Sequence, residues 1–516
     1  MVTFSDLRSL DAKPLQSAAQ AWRDHAESMR EFAQRMNADV AGALLRSGWR
    51  GEAATLAVDR SENIEDYFDV RSHTSELVAS VYDTAYERLW RLQWRLVAAV
   101  GEAERAGLTV RDDGVVEPPP VDPVELHDPD GRAAAREREQ RARELTERIA
   151  GIVREADEVD RQTASALVGT SPETRIFAKA GWDELSVDAG SIARMYGLSA
   201  DDVPTGDPER AARWWDRLSH AQQQFYLMAF PAAIGATDGL PVEVRDRANR
   251  LALRRAGGDR AQVLLQRLEE SEHWPEQQRL RLLAFDLAAD GKAVIAVGNP
   301  DTADHTAVYV PGVGTTIDNI GGDIARVRDL QERADALTYG RTGDVATVMW
   351  LGYDTPGVDL SAVRGAHAEA GAPALDSFID GLRSSHQGSG HVTVVGHSYG
   401  STVVGTAAST GDGLAVDDII VAGSPGMRVG HVSDLQIDPR HVWAGAAKGD
   451  DVTGWMSHFA HGPEPHKEGF GANRFEVDTT GHSDYWKRGS ESLDNQAAIV
   501  VGRYELVDLE HGERPR

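Results

Sequence analysis

The chain has 516 residues, of which 41% are hydrophobic and 26% charged, so its composition is that of a globular protein with more than one domain. Its 82 acidic and 54 basic residues give a formal net charge of −28, which argues against nucleic acid and anionic membrane surfaces as partners. Cysteine is absent, which excludes disulfides, thiolate catalysis and cysteine-ligated metals. No apolar run has the length of a transmembrane segment, and the first residues lack the pattern of a secretory signal peptide.

The first part of the chain has the pattern of two long helices. Gly48 and Gly51 allow a turn between them, in which Trp49 is expected to pack against both arms. After this turn, Leu89, Leu92 and Leu96 mark one face of the second helix. An antiparallel helical hairpin is therefore predicted over residues 1–112. The first helix has a heptad-like apolar stripe formed by Leu15, Trp22, Met29 and Met36, with Ala19, Ala26, Ala33 and Val40.

The composition changes after this hairpin. Consecutive prolines at Pro118–Pro120 cannot continue a helix, so residues 113–130 are predicted to be a semi-rigid linker. Residues 131–280 are predicted to be a helical middle region. It begins with a highly charged helix on which Leu145 and Ile149 belong to a narrow apolar stripe.

From residue 281 onwards, short apolar runs bounded by glycine, proline or asparagine alternate with segments of helix length. The runs are continuously apolar, which is typical of strands covered on both faces. Residues 281–516 are therefore predicted to form a mostly parallel α/β sheet with helices on both faces. The predicted strands include Leu282–Phe285, Ala293–Val297, Ala307–Val310, Val345–Leu351, Val392–Val395, Ile419–Ala422 and Val442–Ala444.

One motif in this region indicates nucleophilic chemistry. Gly396-His397-Ser398-Tyr399-Gly400 lies between a predicted strand and a predicted helix that is rich in small residues. This is the arrangement of a nucleophile elbow, in which a serine is presented on a sharp turn and flanking glycines avoid collisions. Ser398 is therefore the candidate nucleophile. An ordinary glycine turn is the alternative interpretation.

A serine hydroxyl needs a base, and the base needs a carboxylate that orients it; in this fold the expected chain order is Ser, acid, His. Asp450 follows the strand at Val442–Ala444, where ligands bind in open sheets, and is the predicted acid. Asp451 is the alternative acid. Asp434 and Asp438, after the preceding strand, are further candidates.

The candidate base is His482, which lies between a strand predicted at Arg474–Val477 and a terminal helix that begins near Leu493. That position is where this fold delivers its histidine. A glycine- and proline-rich excursion carries three more histidines, for which surface or lid roles are predicted: His458, His461 and His466. Their spacing matches no metal-binding motif, so no metal site is expected.

Stabilising a tetrahedral oxyanion requires backbone donors. Tyr399 supplies one N–H because it follows the nucleophile, and Val313, in the glycine-rich loop after the third strand, is the predicted second donor. Gly312-Val313-Gly314 does not continue as a nucleotide-binding loop, so no cofactor is expected.

These motifs together resemble the actinobacterial α/β-hydrolase family of uncharacterised function, whose members are often joined to a WXG-type helical hairpin associated with type VII secretion. The family tends to have Asp-Pro-Val after the acid-bearing strand, whereas this chain has Asp450-Asp451-Val452, which leaves the identity of the acid open. The matching segments are Trp49-Arg50-Gly51, Val310-Pro311-Gly312, Trp350-Leu351-Gly352-Tyr353-Asp354, Gly396 to Ser401 and Gly481-His482-Ser483.

The resemblance implies a serine esterase or lipase that cleaves a small-molecule or lipid ester through an acyl-enzyme. The alternative is a secretion-associated interaction or effector protein in which the hydrolase fold is a scaffold. A small WXG-type protein or the type VII secretion machinery would then be a partner. The expected location is the cytoplasm, or outside the cell after export without a signal peptide.

Overall fold

In a computed structural model of the chain, the described residues are 1–123, 127–170, 181–338, 343–357, 365–450 and 461–510. Internal contacts divide the chain into two compact units. The helical unit comprises Met1–Ser199 and Leu218–Ala229, and the sheet unit comprises Ala200–Arg217 and Phe230–Arg516. The contacts thus distribute the predicted middle region, 131–280, over both units. The division of the chain at residues 112, 130 and 280 into separate regions stays a prediction.

The first half of the chain is almost entirely helical. In chain order its elements are α1 (Phe4–Ser9), α2 (Lys13–Arg35), a π-helical turn (Met36–Ala41), α3 (Gly42–Arg46), α4 (Glu52–Arg105), the short strands β1 (Thr109–Val110) and β2 (Val116–Glu117), α5 (Pro129–Gly169), α6 (Gly181–Met195), α7 (Pro208–Arg217) and α8 (His220–Ala229). Of these, α7 belongs to the sheet unit. No helix in the described part of the chain is both long and apolar enough to cross a membrane.

The seam between α2 and α4 is lined by small residues. Ala19, Ala26 and Ala33, seven residues apart on α2, are at most 2% exposed. Alanine lets two helix backbones approach closely, which leaves no space for an indole ring in the seam. Trp22 and Trp49 are accordingly 36% and 51% exposed. The predicted heptad period is present, but the expectation that Trp49 packs between the two arms was wrong.

The apolar stripe of α5 is buried against the hairpin. Leu92 and Leu96 of α4 share one hydrophobic cluster with Leu145 and Ile149 of α5 and with residues of α1. The backbone N–H of Val116, within the segment predicted to be a linker, donates a hydrogen bond of 2.9 Å to Thr146 Oγ1 on α5. Removing α4 would therefore expose the α5 stripe.

The sheet unit contains the remaining elements. Its helices after α7 are α9 (Pro231–Gly235), α10 (Val242–Ala256), α11 (Asp259–Ser271), α12 (Gly321–Asp335), α13 (Ala366–Ser385), α14 (Tyr399–Ala408) and α15 (Glu491–Val500). Its strands are β3 (Leu280–Asp286), β4 (Lys292–Val297), β5 (His305–Val310), β6 (Val345–Leu351), β7 (His391–His397), β8 (Asp418–Ala422), β9 (Val442–Gly445) and β10 (Asn473–Arg474).

The eight strands form one sheet in the order β10-β9-β8-β7-β5-β6-β4-β3. Neighbouring strands from β10 to β6 are parallel, while β4 is antiparallel to both β6 and β3. Successive side chains alternate between the two faces: Ile295 of β4 joins a core cluster with residues of α11, α12 and α15. Its neighbour Val294 joins a second cluster with residues of α13 and α14. The predicted α/β architecture is confirmed.

The last strand is shorter than the sequence predicted. A strand was expected at Arg474–Val477, but β10 ends at Arg474. The N–H of Phe475 still donates to Ala444 on β9 at 3.2 Å. Phe475 also forms an antiparallel bridge with Leu509. After the two residues of β10, the chain therefore leaves β9 and pairs with the C-terminal segment at Leu509.

Candidate active site

Ser398 lies on a strained turn between β7 and α14. Its backbone has φ 53° and ψ −129°, a conformation that costs free energy for any residue with a side chain. The turn is fixed by Ser401, whose N–H and Oγ donate to the carbonyl oxygen of Ser398 at 3.0 Å and 2.6 Å. Strain held in place by local hydrogen bonds at the end of a central strand is the geometry expected of a nucleophile elbow.

The glycines around Ser398 leave no space for side chains. A Cβ atom on Gly396 would lie 2.6 Å from the Cα of Ser401, and one on Gly400 would lie 2.1 Å from the carbonyl oxygen of Val310. A Cβ atom on Gly312 would lie 2.7 Å from the Cβ of Ser398 and 3.1 Å from its Oγ. The loop after β5 therefore passes directly over the serine with its backbone.

Asp450 and His482 form a hydrogen-bonded pair beyond the ends of β9 and β10. His482 Nδ1 lies 2.9 Å from both carboxylate oxygens of Asp450, whose side chain is 2% exposed. The hydroxyl of Tyr485 donates to Asp450 Oδ2 at 2.7 Å and accepts from the N–H of Ala447 at 2.9 Å. Burial acts to raise the pKa of the Asp450 carboxyl, but the hydrogen bonds from His482 and Tyr485 outweigh it and lower this pKa below its ordinary value.

This arrangement selects one tautomer of His482. Because a carboxylate only accepts hydrogen bonds, Nδ1 carries the proton and Nε2 is left with a lone pair. Both His482 Nε2 and Ser398 Oγ are buried, and neither has a hydrogen-bond partner among the described residues. The hydrogen bond between these two atoms is not formed, as is common in sites without substrate.

The loop that would supply the second oxyanion donor is clamped from one side. The hydroxyl of Tyr353 donates to the carbonyl of Pro311 at 2.7 Å, and the N–H of Gly314 donates to the carbonyl of Pro356 at 3.0 Å. Between these two anchors lies Val313, the predicted donor. Tyr399 is the first residue of α14, where backbone N–H groups have no partner within the helix. Both donor assignments stay predictions.

The other candidate acids lie elsewhere or outside the described residues. Asp434 accepts hydrogen bonds from the N–H groups of Gly430 and His431, at 3.1 Å and 3.0 Å. Asp438 is fully exposed, and its pKa is lowered to about 2 by hydrogen bonds from Arg440. Neither forms a hydrogen bond with His482. Asp451 lies outside the described residues.

The histidines of the excursion were predicted to have surface or lid roles. His461 is 0% exposed, and its ring meets the Tyr399 ring edge-on at 5.5 Å. The side chain of His466 is 17% exposed and lies 3.4 Å from Glu464. A surface role is wrong for His461, because its ring packs against Tyr399 of α14, whereas the lid role stays a prediction. His458 lies outside the described residues. Among the residues that the structure describes, no group of three histidines or acids is placed to hold a metal ion.

The environment of His397, the residue before Ser398, could not be predicted from the sequence. This side chain is 5% exposed, and its Nε2 donates to the carbonyl oxygen of His482 at 2.8 Å. Its Nδ1 lies 3.3 Å from the hydroxyl of Tyr309. Burial, the neighbouring His482 and the charge of Arg326 lower the pKa of His397 to about 3, so this imidazole is neutral near pH 7.

A mostly parallel sheet with a serine on a strained turn after a central strand is the arrangement of an α/β hydrolase. Residues 286–461 match the family described as Alpha/beta hydrolase. Two relatives in Mycobacterium tuberculosis are similar to this chain. "Uncharacterized protein Rv2079" of Mycobacterium tuberculosis is 29% identical over 410 residues, which are 63% of this chain and 62% of the relative. "Uncharacterized protein Rv0963c" of the same organism is 32% identical over 197 residues, 36% of this chain and 72% of the relative.

The chain therefore belongs to the α/β hydrolase family. "Uncharacterized protein Mb0988c" of Mycobacterium bovis matches at the same level, 32% identity over 197 residues. The matched segment spans 62% of the length of the first of these relatives.

Proposed function

We propose that this protein is a serine hydrolase that cleaves a carboxylic ester through an acyl-enzyme. The observation that carries the proposal is that His482 Nε2 and Ser398 Oγ are both buried without a hydrogen-bond partner among the described residues, while Asp450 orients the His482 ring. A base with a free lone pair and a hydroxyl on a strained elbow are the groups that nucleophilic acyl transfer requires.

In the proposed mechanism Ser398 Oγ attacks the ester carbonyl carbon while His482 Nε2 takes the hydroxyl proton. Asp450 holds the imidazole and stabilises its positive charge. The N–H groups of Tyr399 and Val313 bind the oxyanion of the tetrahedral intermediate. Collapse of this intermediate breaks the bond to the alcohol, which leaves with the proton from His482. Water, activated by the same histidine, then releases the acid and restores Ser398.

We assign a small-molecule or lipid ester as the substrate, because the motifs resemble those of esterases and lipases. The three side chains and two backbone donors complete the chemistry without a cofactor. The coarser assignment, a hydrolase, follows from the family; the ester and the Ser398, His482, Asp450 triad are the steps that the proposal adds.

Labelling with a fluorophosphonate probe tests the nucleophile. The wild-type protein should be labelled at Ser398 and should hydrolyse short-chain aryl esters, whereas Ser398→Ala should lose both while keeping its fold. Ser409→Ala is the matched control, because this serine lies at the opposite end of the same helix and donates to the backbone of Gly405. Labelling and hydrolysis that persist in Ser398→Ala would overturn the assignment.

We also propose a separate, protein-binding role for the helical hairpin. Trp49-Arg50-Gly51 lies in the turn before α4, and Trp49 is 51% exposed, which suits contact with a small WXG-type partner or with type VII secretion machinery. The protein would then be cytoplasmic, or exported without a signal peptide. Trp49→Ala should weaken that binding and leave fluorophosphonate labelling unchanged, with Trp22→Ala as the control. Unaltered binding would contradict this role.

A further inference from the structure

The residue that precedes the nucleophile joins it to the loop of the base. His397 is the last residue of β7 and contacts three parts of the site. It precedes Ser398 in the chain, forms a hydrogen bond with His482 and packs against the Trp486 ring. The ring centroids of His397 and His482 are 4.9 Å apart, and the Trp486 ring meets His397 edge-on at 5.1 Å. Its neighbours thus allow the His397 ring little freedom of rotation.

The hydrogen bond to the base loop fixes the tautomer of His397. The carbonyl oxygen of His482 is only an acceptor, so His397 Nε2 must carry the proton. Because the imidazole is neutral, Nδ1 then has a lone pair, and this lone pair faces the hydroxyl of Tyr309. One nitrogen therefore holds the backbone of the base while the other faces the opposite side of the site.

A buried network holds Tyr309 in turn. Its hydroxyl has one proton, which it donates either to Asp323 Oδ1 at 2.9 Å or to His397 Nδ1 at 3.3 Å, and Arg326 Nη1 donates to Asp323 at 2.6 Å and to the tyrosine oxygen at 3.2 Å. Tyr309 is 1% exposed and Asp323 6% exposed. The guanidinium of Arg326 also lies 5.7 Å from the centre of the Trp486 ring. The network thus packs against the base loop at two points, through His397 and through Trp486.

We propose that His397 is a positioning residue for the base, and that Tyr309, Asp323 and Arg326 fix His397. This inference rests on the proposed function for its catalytic meaning, but the hydrogen bond that it concerns can be tested without turnover. His397 contacts the backbone and the ring of His482 but forms no hydrogen bond with His482 Nε2 or Ser398 Oγ, so it acts by holding Nε2 at a constant place relative to Ser398. Displacing a catalytic group by about 1 Å can lower a rate by about a hundredfold.

Two amide substitutions separate positioning from simple packing. The amide nitrogen of glutamine can reach the place of Nε2, whereas that of asparagine, one methylene shorter, lies nearer to Nδ1. His397→Gln should retain the hydrogen bond to His482 and His397→Asn should lose it, although both introduce the same polar group into the same space. The full-length protein is used, and thermal unfolding confirms that both variants are folded.

Hydrogen exchange of the segment around residues 479–486 gives the first readout, because it does not depend on activity. Exchange should be accelerated in His397→Asn and close to wild type in His397→Gln. Tyr309→Phe, which leaves the His397 ring in place, should give an intermediate acceleration. Equal exchange in wild type and both His397 variants would overturn the positioning role.

The rate of fluorophosphonate labelling gives the second readout. It should fall by about tenfold to a hundredfold in His397→Asn and be largely restored in His397→Gln, with kcat affected and KM for an aryl ester little changed. Equal losses in both variants would reduce His397 to a packing residue. A wild-type protein that is never labelled would defeat the proposed function instead, and the exchange measurement would still decide whether His397 holds the loop.

Discussion

Two buried carboxylates lie at opposite ends of neighbouring strands, and each has histidine and tyrosine partners. Asp450 follows β9, whereas Asp418 begins β8 and has a side chain that is 0% exposed. Asp418 accepts hydrogen bonds from Trp443 Nε1 at 2.8 Å and from the hydroxyl of Tyr504 at 2.7 Å. The nitrogens of two histidines also lie 3.0 Å from its oxygens: His391 Nε2 and His441 Nδ1.

The two clusters differ in the hydrogen bonding of the second ring nitrogen of the histidine. The second nitrogen of His391, Nδ1, donates to the carbonyl oxygen of Val500 at 3.0 Å, so both nitrogens serve the structure. In contrast, Nε2 of His482 has no hydrogen-bond partner among the described residues. A buried acid beside a histidine is thus not enough to indicate catalysis. Nε2 of His482, at the end of the sheet where Ser398 lies, distinguishes the proposed catalytic pair from the cluster around Asp418.

The largest expected effect is on turnover. Asp450→Asn should lower kcat by about 10⁴-fold, because the amide no longer selects the productive tautomer of His482 or stabilises its charge. Asp418→Asn should leave kcat within about threefold, since its histidines do not reach the reacting atoms. Steady-state hydrolysis of an aryl ester measures both.

Asp438→Asn is the exposed control for the acid and should have no effect on kcat. Asp451→Asn should cost much less than Asp450→Asn. A large loss in Asp451→Asn, Asp434→Asn or Asp438→Asn, together with a small one in Asp450→Asn, would move the acid to that position.

The next largest effect is on stability, and we expect it for substitutions in the cluster around Asp418. Asp418→Asn should lower the free energy of unfolding by about 2–4 kcal/mol, because it removes a buried charge that accepts several hydrogen bonds. Asp450→Asn should cost less, since residues of an active site are generally placed for function at some cost in stability. Urea unfolding measures both variants. A greater loss of stability in Asp450→Asn would contradict the contrast between a structural and a catalytic acid.

The smallest effect is on the pH dependence of stability. Burial acts to lower the pKa of His391, but the hydrogen bond and charge of Asp418, with Asp417, raise it above its ordinary value. A histidine whose pKa is raised by folding adds stability below its unfolded pKa of about 6.5, and this contribution disappears as the pH rises through the folded pKa. The stability difference between wild type and His391→Gln should therefore be greatest, about 1 kcal/mol, near pH 6 and decline above it.

The carboxyl of Asp450 should show the opposite dependence. Its pKa is lowered by folding, so its contribution is present above about pH 4 and lost on acidification. Urea unfolding of wild type, His391→Gln and Asp450→Asn from pH 3 to pH 9 measures both trends. A His391→Gln difference that grows with pH would contradict the raised pKa.

Much of the sheet could be predicted because its signal is local. A continuously apolar run such as Val345–Leu351 has no solvated face, and all seven of its residues are buried. The elbow around Ser398 also depends on adjacent residues, namely a strand, two glycines and a helix. His482 and Asp450 followed from the order of elements, and the structure brings these two into one hydrogen-bonded pair.

The features that could not be predicted depend on contacts between distant parts of the chain. His397 looked like a variable position within the motif, and only the fold shows that its ring meets the backbone of a residue 85 positions away. Tyr485 gave no signal either, since its hydroxyl is aimed by packing. In the helical unit the heptad period was predicted correctly, but the burial of its members was not: Ala19 and Ala33 lie in the seam, whereas Trp22 is at the surface.

Gly312 has a consequence for how new substrate preferences could arise. Because a Cβ atom at Gly312 would collide with Ser398, the wall above the nucleophile is peptide backbone and offers no side chain for mutation to exchange. Evolution or protein engineering could not enlarge or shrink the binding space at this point by substitution. Selectivity among acyl groups would have to be adjusted by residues elsewhere around the site, while the backbone at Gly312 keeps the space beside Ser398 constant.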